Sequence, residues 1–572
     1  MKNYLLWLII AMVFCAGVLQ AQPSVSSVTN ASSYNADVAR GSWFVIFGTG
    51  LGPSAIAIAS GAPFPTELSG TRVSFTPASG GAAIDCRMWY TSAGQLAALL
   101  PSSAAAGAYD VRVTYNNQTG APRRVQVVDR NFGFATQSQN GQGPAQATYG
   151  GADLNRFTTG RVANFTTRPA RGGDAMVLWG TGLGADPASD VNGGTSGDQT
   201  QAGSVRVIVG GIEVTPAYAG RSSGSPGLDQ INFFVPANVQ PSCFVSLQVR
   251  AGGRLSNFGS IAVASGGAAS CTASGLTEAQ LSRLDQGGTL TNASINLNKT
   301  SLRLSVPGLG SFDQNTESVD ASFSRQTVDV VAGGNFVLQQ TGACFVIRRL
   351  GDQETLLSGS PGQILNAGAR LTLSGPNANN IAINRDPSGT YSADLYSSGF
   401  GGFGGSGTPT IVQGTYTVAG TGGPDVGPFS ASLAVPGNFS WTNQAALPDP
   451  IPRSTNLNIT WTGGGSGVVA IIGLSGVQAG GTQQNPLYDS AVFVCTAPAS
   501  AGSFSVPASV LQQLPAAPSA ASIGGSNLGL LTVTATSDFN QGRFNAPLTA
   551  GGNIDVAYMS YSIGSVKLTG WQ

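Results

Sequence analysis

The sequence predicts an all-β chain: tandem immunoglobulin-like β-sandwiches followed by two further β-sandwich-like domains. Three observations carry that prediction. Gly is abundant at 80 residues and Glu occurs five times, so straight-chain helix formers are scarce while Gly and Asn serve tight turns between strands. Apolar residues still reach 41%, in short β-branched and aromatic runs, which excludes a disordered chain. Finally, one stretch of the first half recurs in register. At 572 residues, the chain exceeds the roughly 250–300 residues at which single cores stop growing, so about four domains are expected.

Residues 1–21 read as a secretory signal peptide. Lys2 supplies the charged start, Leu5 to Leu19 the apolar stretch, and Ala21 precedes a plausible cleavage point. That stretch is shorter than the roughly 20 apolar residues of a bilayer span, and no later segment has the character of one. The expected location is therefore secreted or at the cell surface, with no membrane span after the signal is removed.

The repeat lies in 22–130 and 143–265. Gly41-Ser-Trp-Phe-Val-Ile-Phe-Gly-Thr-Gly-Leu-Gly52 recurs as Gly173-Asp-Ala-Met-Val-Leu-Trp-Gly-Thr-Gly-Leu-Gly184. Gln95-Leu-Ala-Ala-Leu-Leu-Pro101 then answers Gln230-Ile-Asn-Phe-Phe-Val-Pro236, and Tyr109 to Val113 answers Val245 to Val249. Two copies of one domain follow, each made of short apolar or alternating runs between Gly, Pro, Asn and Ser clusters, the pattern of an immunoglobulin-type sandwich. A glycine cluster after a strand can also open a dinucleotide-binding helix, but here Pro53 and Pro187 follow, and no helix start is available to hold a pyrophosphate. No cofactor is expected.

These motifs, with Asp229-Gln-Ile-Asn-Phe-Phe-Val-Pro236 and Ser256-Asn-Phe-Gly-Ser-Ile-Ala-Val263, resemble the repeated IPT/TIG-like modules of exported bacterial proteins of uncharacterised function. The resemblance covers about 24–265 and is stronger in the second copy. It implies an immunoglobulin-like sandwich outside the cytoplasm and carries over no catalytic residues. The later half is similar to the β-rich tail that follows such modules.

A linker with a short helix is expected over 266–289, where Thr277-Glu-Ala-Gln280 forms a capping box and Gly287-Gly288 a stop. Strand runs resume at Ala293 to Leu297 and Leu302 to Val306, giving a third β-domain over 290–437. Its Phe400 and Phe403 lie in a glycine-rich loop that reads as a floppy hairpin tip. A fourth β-domain is expected over 438–572, with Trp441 and Trp461 read as core or corner residues and, alternatively, as a sugar-stacking platform.

Five cysteines follow the leader, which allows two bridges and one free thiol in an oxidising compartment. Cys243 and Cys271 flank consecutive strand runs and are expected to pair. Cys344 and Cys495 sit in similar runs and are left as the second pair, although nothing local brings them together.

The search for chemistry yields mainly exclusions. Histidine is absent, which rules out Ser-His-Asp and Cys-His catalysis and His-ligated zinc. The cysteines form no CxxC motif, and no EF-hand-like spacing is present, so no metal site is expected. Charged residues make up 9% of the chain, 27 basic balancing 27 acidic, and the Arg123-Arg124 and Arg348-Arg349 pairs read as solvated strand faces, so nucleic acid is excluded as a partner. A glycosidase needs two facing carboxylates, yet Glu67, Glu213, Glu278, Glu317 and Glu354 are scattered, while Asp425 and Asp538 suit turns. The expectation is a non-enzymatic structural or adhesion-type protein that binds an extracellular or cell-surface partner. A carbohydrate-binding protein, with polysaccharide as the partner, is the alternative, and a glycoside hydrolase is a distant third.

Overall fold

A computed structural model describes residues 22–572 except 151–152, 194–197, 199–203, 274, 307–309, 333–341, 343, 352–361, 401–402, 438, 482–485 and 518–526. The expected signal peptide and Glu354 fall outside the described residues, as do the side chains of Phe400 and Phe403. Two compact units divide the chain. One comprises 1–133, 180–201 and 219–230, the other 134–179, 202–218 and 231–572. Among the described residues no helix is long and apolar enough to cross a membrane.

The first repeat is a two-sheet sandwich. Its strands are β1 (Ser24–Asn30), β2 (Val38–Ala39), β3 (Trp43–Thr49), β4 (Ala57–Ile58), β5 (Glu67–Leu68), β6 (Thr71–Pro77), β7 (Ile84–Asp85), β8 (Arg87–Thr91), β9 (Gln95–Leu99), β10 (Gly107–Tyr115), β11 (Gln118–Thr119) and β12 (Arg123–Val128). One sheet runs β1-β3-β9-β8-β4, the other β2-β12-β10-β6-β5 with β11 on β10 and β7 on β6. Period-two alternation decides what each strand buries. Phe44 and Ile46 from the first sheet meet Val73, Phe75, Val111 and Val113 from the second in one core. Each such side chain contributes about 1.5–3 kcal/mol of burial, and Phe44 meets Phe75 edge-on with centroids 5.1 Å apart.

The second copy builds a similar pair of sheets. The larger runs Gly160–Val162, Phe165–Arg168, Asp153–Asn155, Ala147–Tyr149, Ala175–Thr181, Asp229–Phe234, Tyr218–Arg221, and the smaller Ile212–Val214, Val205–Val209, Ser242–Ala251, Arg254–Leu255 with Gly259–Val263 beside Ser242–Ala251. This copy differs from the expected self-contained domain over 143–265, because its segments 180–201 and 219–230 group with the first repeat. The region 266–289 is also more than a linker. Its helix, Glu278–Asp285, has the predicted Thr277/Gln280 capping box, and Leu281 and Leu284 enter a core with Phe157, Phe244 and Leu290. Asp285, buried and held above the usual carboxylate range by desolvation, accepts hydrogen bonds from the Phe157 and Thr158 backbone amides at 3.0 and 2.9 Å.

From 290 onward, one sheet takes strands from both sides of the expected division at 437/438. Leu290–Val306 pairs antiparallel with Gly310–Gln326 and, on its other side, parallel with Val556–Leu568 at the far end of the sequence. A single fourteen-stranded sheet results, with Cys344–Gly351 at one edge and Phe429–Val435 at the other. One core runs beneath it from Ala293 to Trp571. Period and turn signals mark each strand, but pairing across more than 250 residues leaves no local trace in the sequence.

Both expected disulfides are present. Cys243 joins Cys271 with Cα atoms 5.0 Å apart. Cys344 joins Cys495 across directly opposed positions of neighbouring strands. Cys86 is the free thiol and is buried.

Candidate binding surface

In the first repeat, the strands that feed the core with one face present aromatic residues on the other. Phe44 and Ile46 of β3 point to the core, which turns Trp43, Val45 and Phe47 to the opposite face, where Trp43 and Val45 are also buried, at 7% and 3% exposure. Register sets these opposite Leu99, Ala97 and Gln95 of β9. On β8, Met88 points inward, and the register then slips between Met88 and Tyr90 so that Tyr90 opposes Ala97. This bulge leaves Trp89 without a cross-strand partner. A bulge re-aims side chains, and here it sets two consecutive aromatics side by side, Trp89 and Tyr90, with ring centroids 5.7 Å apart.

The rings form a cluster. Trp89 lies 5.4 Å from Trp43, and Trp43 lies 5.0 Å from Phe64. At the other end Tyr34 lies 6.1 Å from Phe47. The Tyr90 hydroxyl accepts a 2.7 Å hydrogen bond from Gln95 Nε2. Burial, with Tyr34 adding to it, pushes the Tyr90 phenol up to about 12, so it stays an uncharged donor and acceptor. Trp89 is 42% exposed, and the edge strand β4 adds Ile58 at 62%, with Ile56 just before it at 60%.

A buried polar assembly covers the Trp43 end of this face. Trp43 Nε1 donates to Pro226 O at 2.7 Å, and the Trp43 amide donates to Thr181 Oγ1. Thr181 in turn donates to Gly227 O at 2.7 Å. Gly227 has φ +70°, and a Cβ there would stand 2.6 Å from both Trp43 Nε1 and Leu99 Cδ1. The turn therefore requires glycine. Arg221 and Asp229 flank it as a fully buried ion pair at 2.5 Å. Arg221 also donates to Ser189 Oγ, Gly41 O and Gly184 O, while Asp229 accepts from the Leu183 amide. Desolvation outweighs the attraction of Arg221 and pushes the Asp229 carboxyl up to about 6. The repeated Gly-Thr-Gly-Leu-Gly segment thus serves in its second copy as a structural joint.

The residues singled out in the sequence lie elsewhere. Trp441 and Trp461 are buried, their indole N–H groups donating to Asn443 Oδ1 at 3.0 Å and Ala499 O at 2.8 Å, so they form no platform. Glu67 pairs with Arg72, Glu213 with Arg206 and Arg250, and Glu317 with Lys299. Asp425 accepts from the Asn366 amide, 59 residues away, and Asp538 caps a short helical turn by accepting from the Asn540 amide. Arg124 pairs with Asp110 on an exposed strand. A polar cleft of about 520 Å³ between Glu67, Arg72 and the Asn116-Asn117 turn lies on the opposite sheet and contains no aromatic residue. Among the described residues no three His, Cys, Asp or Glu side chains converge on a metal position. Sequence reasoning missed Trp89 and Tyr90. Their one signal was an unbroken Met-Trp-Tyr run inside a strand, where alternation would place Trp89 and Tyr90 on opposite faces.

No protein-family model matches the chain, and no curated protein matches it. Solved structures do. The Bacteroides ovatus mixed-linkage glucan utilization locus protein SGBP-B, in complex with a mixed-linkage heptasaccharide, is 9% identical over 63% of this chain, with a TM-score of 0.17. This chain covers 65% of that one, just under two thirds. The FN1-FN3 domains of chicken CNTN1 are 10% identical, covering 72% of this chain and 94% of that one, with a TM-score of 0.12. Immunoglobulin domains 1–4 of Sidekick-1 are 9% identical, covering 96% and 100%, also with a TM-score of 0.12. Likeness at this level says nothing of ligand or activity.

Proposed function

We propose that the chain is a non-catalytic binding protein of adhesive or structural type, working outside the cytoplasm and engaging its partner through the outer aromatic face of the first repeat. The observation that carries this reading is the cluster of rings around the exposed Trp89, held on a sheet beside a buried hydrogen-bonded joint. Preorganised side chains lose little freedom on binding, so more of the contact energy becomes affinity. Two disulfides support a location where thiols are oxidised. Pairing of Glu67, Glu213 and Glu317 with basic residues supports a non-catalytic role, since each is already committed to an ion pair. The resemblance to IPT/TIG-like modules agrees with export and with repetition as a source of avidity.

Sedimentation with the producing cells and their extracellular material tests this. The chain is expected to bind saturably, and Trp89→Ala to bind at least tenfold more weakly. Equal binding of the two proteins, or no saturable binding, would sink the proposal.

A further inference from the structure

Resting on that reading, we infer that the cluster of rings centred on Trp89 and Tyr90 takes a neutral polysaccharide. Three features on this face select that chemistry. The first is alternation of ring faces with uncharged hydrogen-bonding groups. Trp89 and Tyr90 offer ring surface beside the Tyr90 hydroxyl and the Gln95 amide. A sugar ring has the matching character, with C–H faces that cover an aromatic ring and hydroxyls at its rim that donate and accept.

Charge is the second feature. The accessible residues of this face, Phe47 on β3, Trp89 and Tyr90 on β8 and Gln95 on β9, are uncharged, while Trp43, Val45, Ala97 and Leu99 are buried. Arg87, the one cation these three strands carry, donates to Phe64 O. A polyanion would meet no cluster of cations, and a basic ligand would meet no carboxylate on these strands. The third feature is extent. Trp43, Val45, Ala97 and Leu99 are buried, so the accessible apolar surface centres on Trp89, Tyr90 and, opposite Tyr90 on the edge strand β4, Ile58. A stable protein interface needs about 800 Å² from each partner with a wide apolar centre, whereas a few sugar rings of a polymer fit a site of this extent.

Affinity electrophoresis of the disulfide-intact chain tests the ligand class. The gels contain hydroxyethyl cellulose, galactomannan, the neutral polysaccharide fraction extracted from the producing cells, or polygalacturonate as the anionic arm. We expect retardation in at least one neutral gel, a tenfold or greater loss of affinity in Trp89→Ala and Tyr90→Ala, and substantial recovery in Trp89→Phe, which restores a ring. A cooperative thermal melt of Trp89→Ala, well above the assay temperature, shows that the loss is not unfolding. Retardation only by polygalacturonate, or retardation that survives Trp89→Ala, overturns the inference. If the chain sediments with cells in a Trp89-dependent way and no neutral polysaccharide retards or competes it, the ligand class is wrong and the binding role stands, with a protein partner. If no Trp89-dependent attachment is seen in either assay, both fall.

Discussion

Trp89 and Arg221 sit at opposite ends of one energetic scale. Trp89 is half in water, so Trp89→Ala should cost stability only about the 0.5–1.5 kcal/mol of a lost aromatic pair, measured as a small shift in urea midpoint. Arg221 is buried with Asp229, and Arg221→Ala strands a carboxylate in the interior. We expect a loss of about 3–5 kcal/mol, largely recovered in the double variant Arg221→Met, Asp229→Leu. Acidity provides an independent check. Asp229 is raised to about 6 when folded, against an ordinary value near 3.9, so the folded state binds a proton that the unfolded state does not. Its contribution to stability is therefore fully present below about pH 4 and is lost as pH rises through about 6. Urea titrations across this window should show that slope in the native chain and not in Asp229→Asn. At this scale the sequence was only partly legible. Trp441 and Trp461 read from the sequence as core residues, and both are buried, whereas the bulge that sets Tyr90 beside Trp89 on one face leaves no mark in composition.

At the scale of elements, the turn 222–228 and the second disulfide decide how distant segments are held. Gly227→Val should strain a left-handed backbone position and drive a side chain into Trp43, lowering stability by about 1–3 kcal/mol and weakening binding at Trp89 through displacement of Trp43. Native binding in this variant would mean the joint does not support the face. Cys344 and Cys495 lie 151 residues apart, so replacing both with Ser should cost about 2–5 kcal/mol through the freed chain entropy of the unfolded state, read as a lower melting temperature. The helix at Glu278–Asp285 was legible because a capping box is local. Its role in the core was not, since Asp285 finds its partners at Phe157 and Thr158, more than a hundred residues earlier.

For the whole molecule, composition and repetition were enough to establish an all-β chain and to align two copies of one sandwich. What they did not show is where the copies stop being separate, because the 180–201 and 219–230 segments of the second group with the first. They also split one sheet in two, since Leu290–Val306 finds a parallel neighbour at Val556–Leu568 and no periodicity announces such a pairing. The functional reading depends on the first repeat presenting an aromatic face. Hydroxyl-radical footprinting of the chain, free and attached to the producing cells, tests that most directly. Trp89, Tyr90 and Ile58 should become protected on attachment, while the exposed Phe165 and Phe234 of the second copy keep their reactivity. Protection confined to Phe165 and Phe234, with Trp89 as reactive as in the free chain, would contradict it.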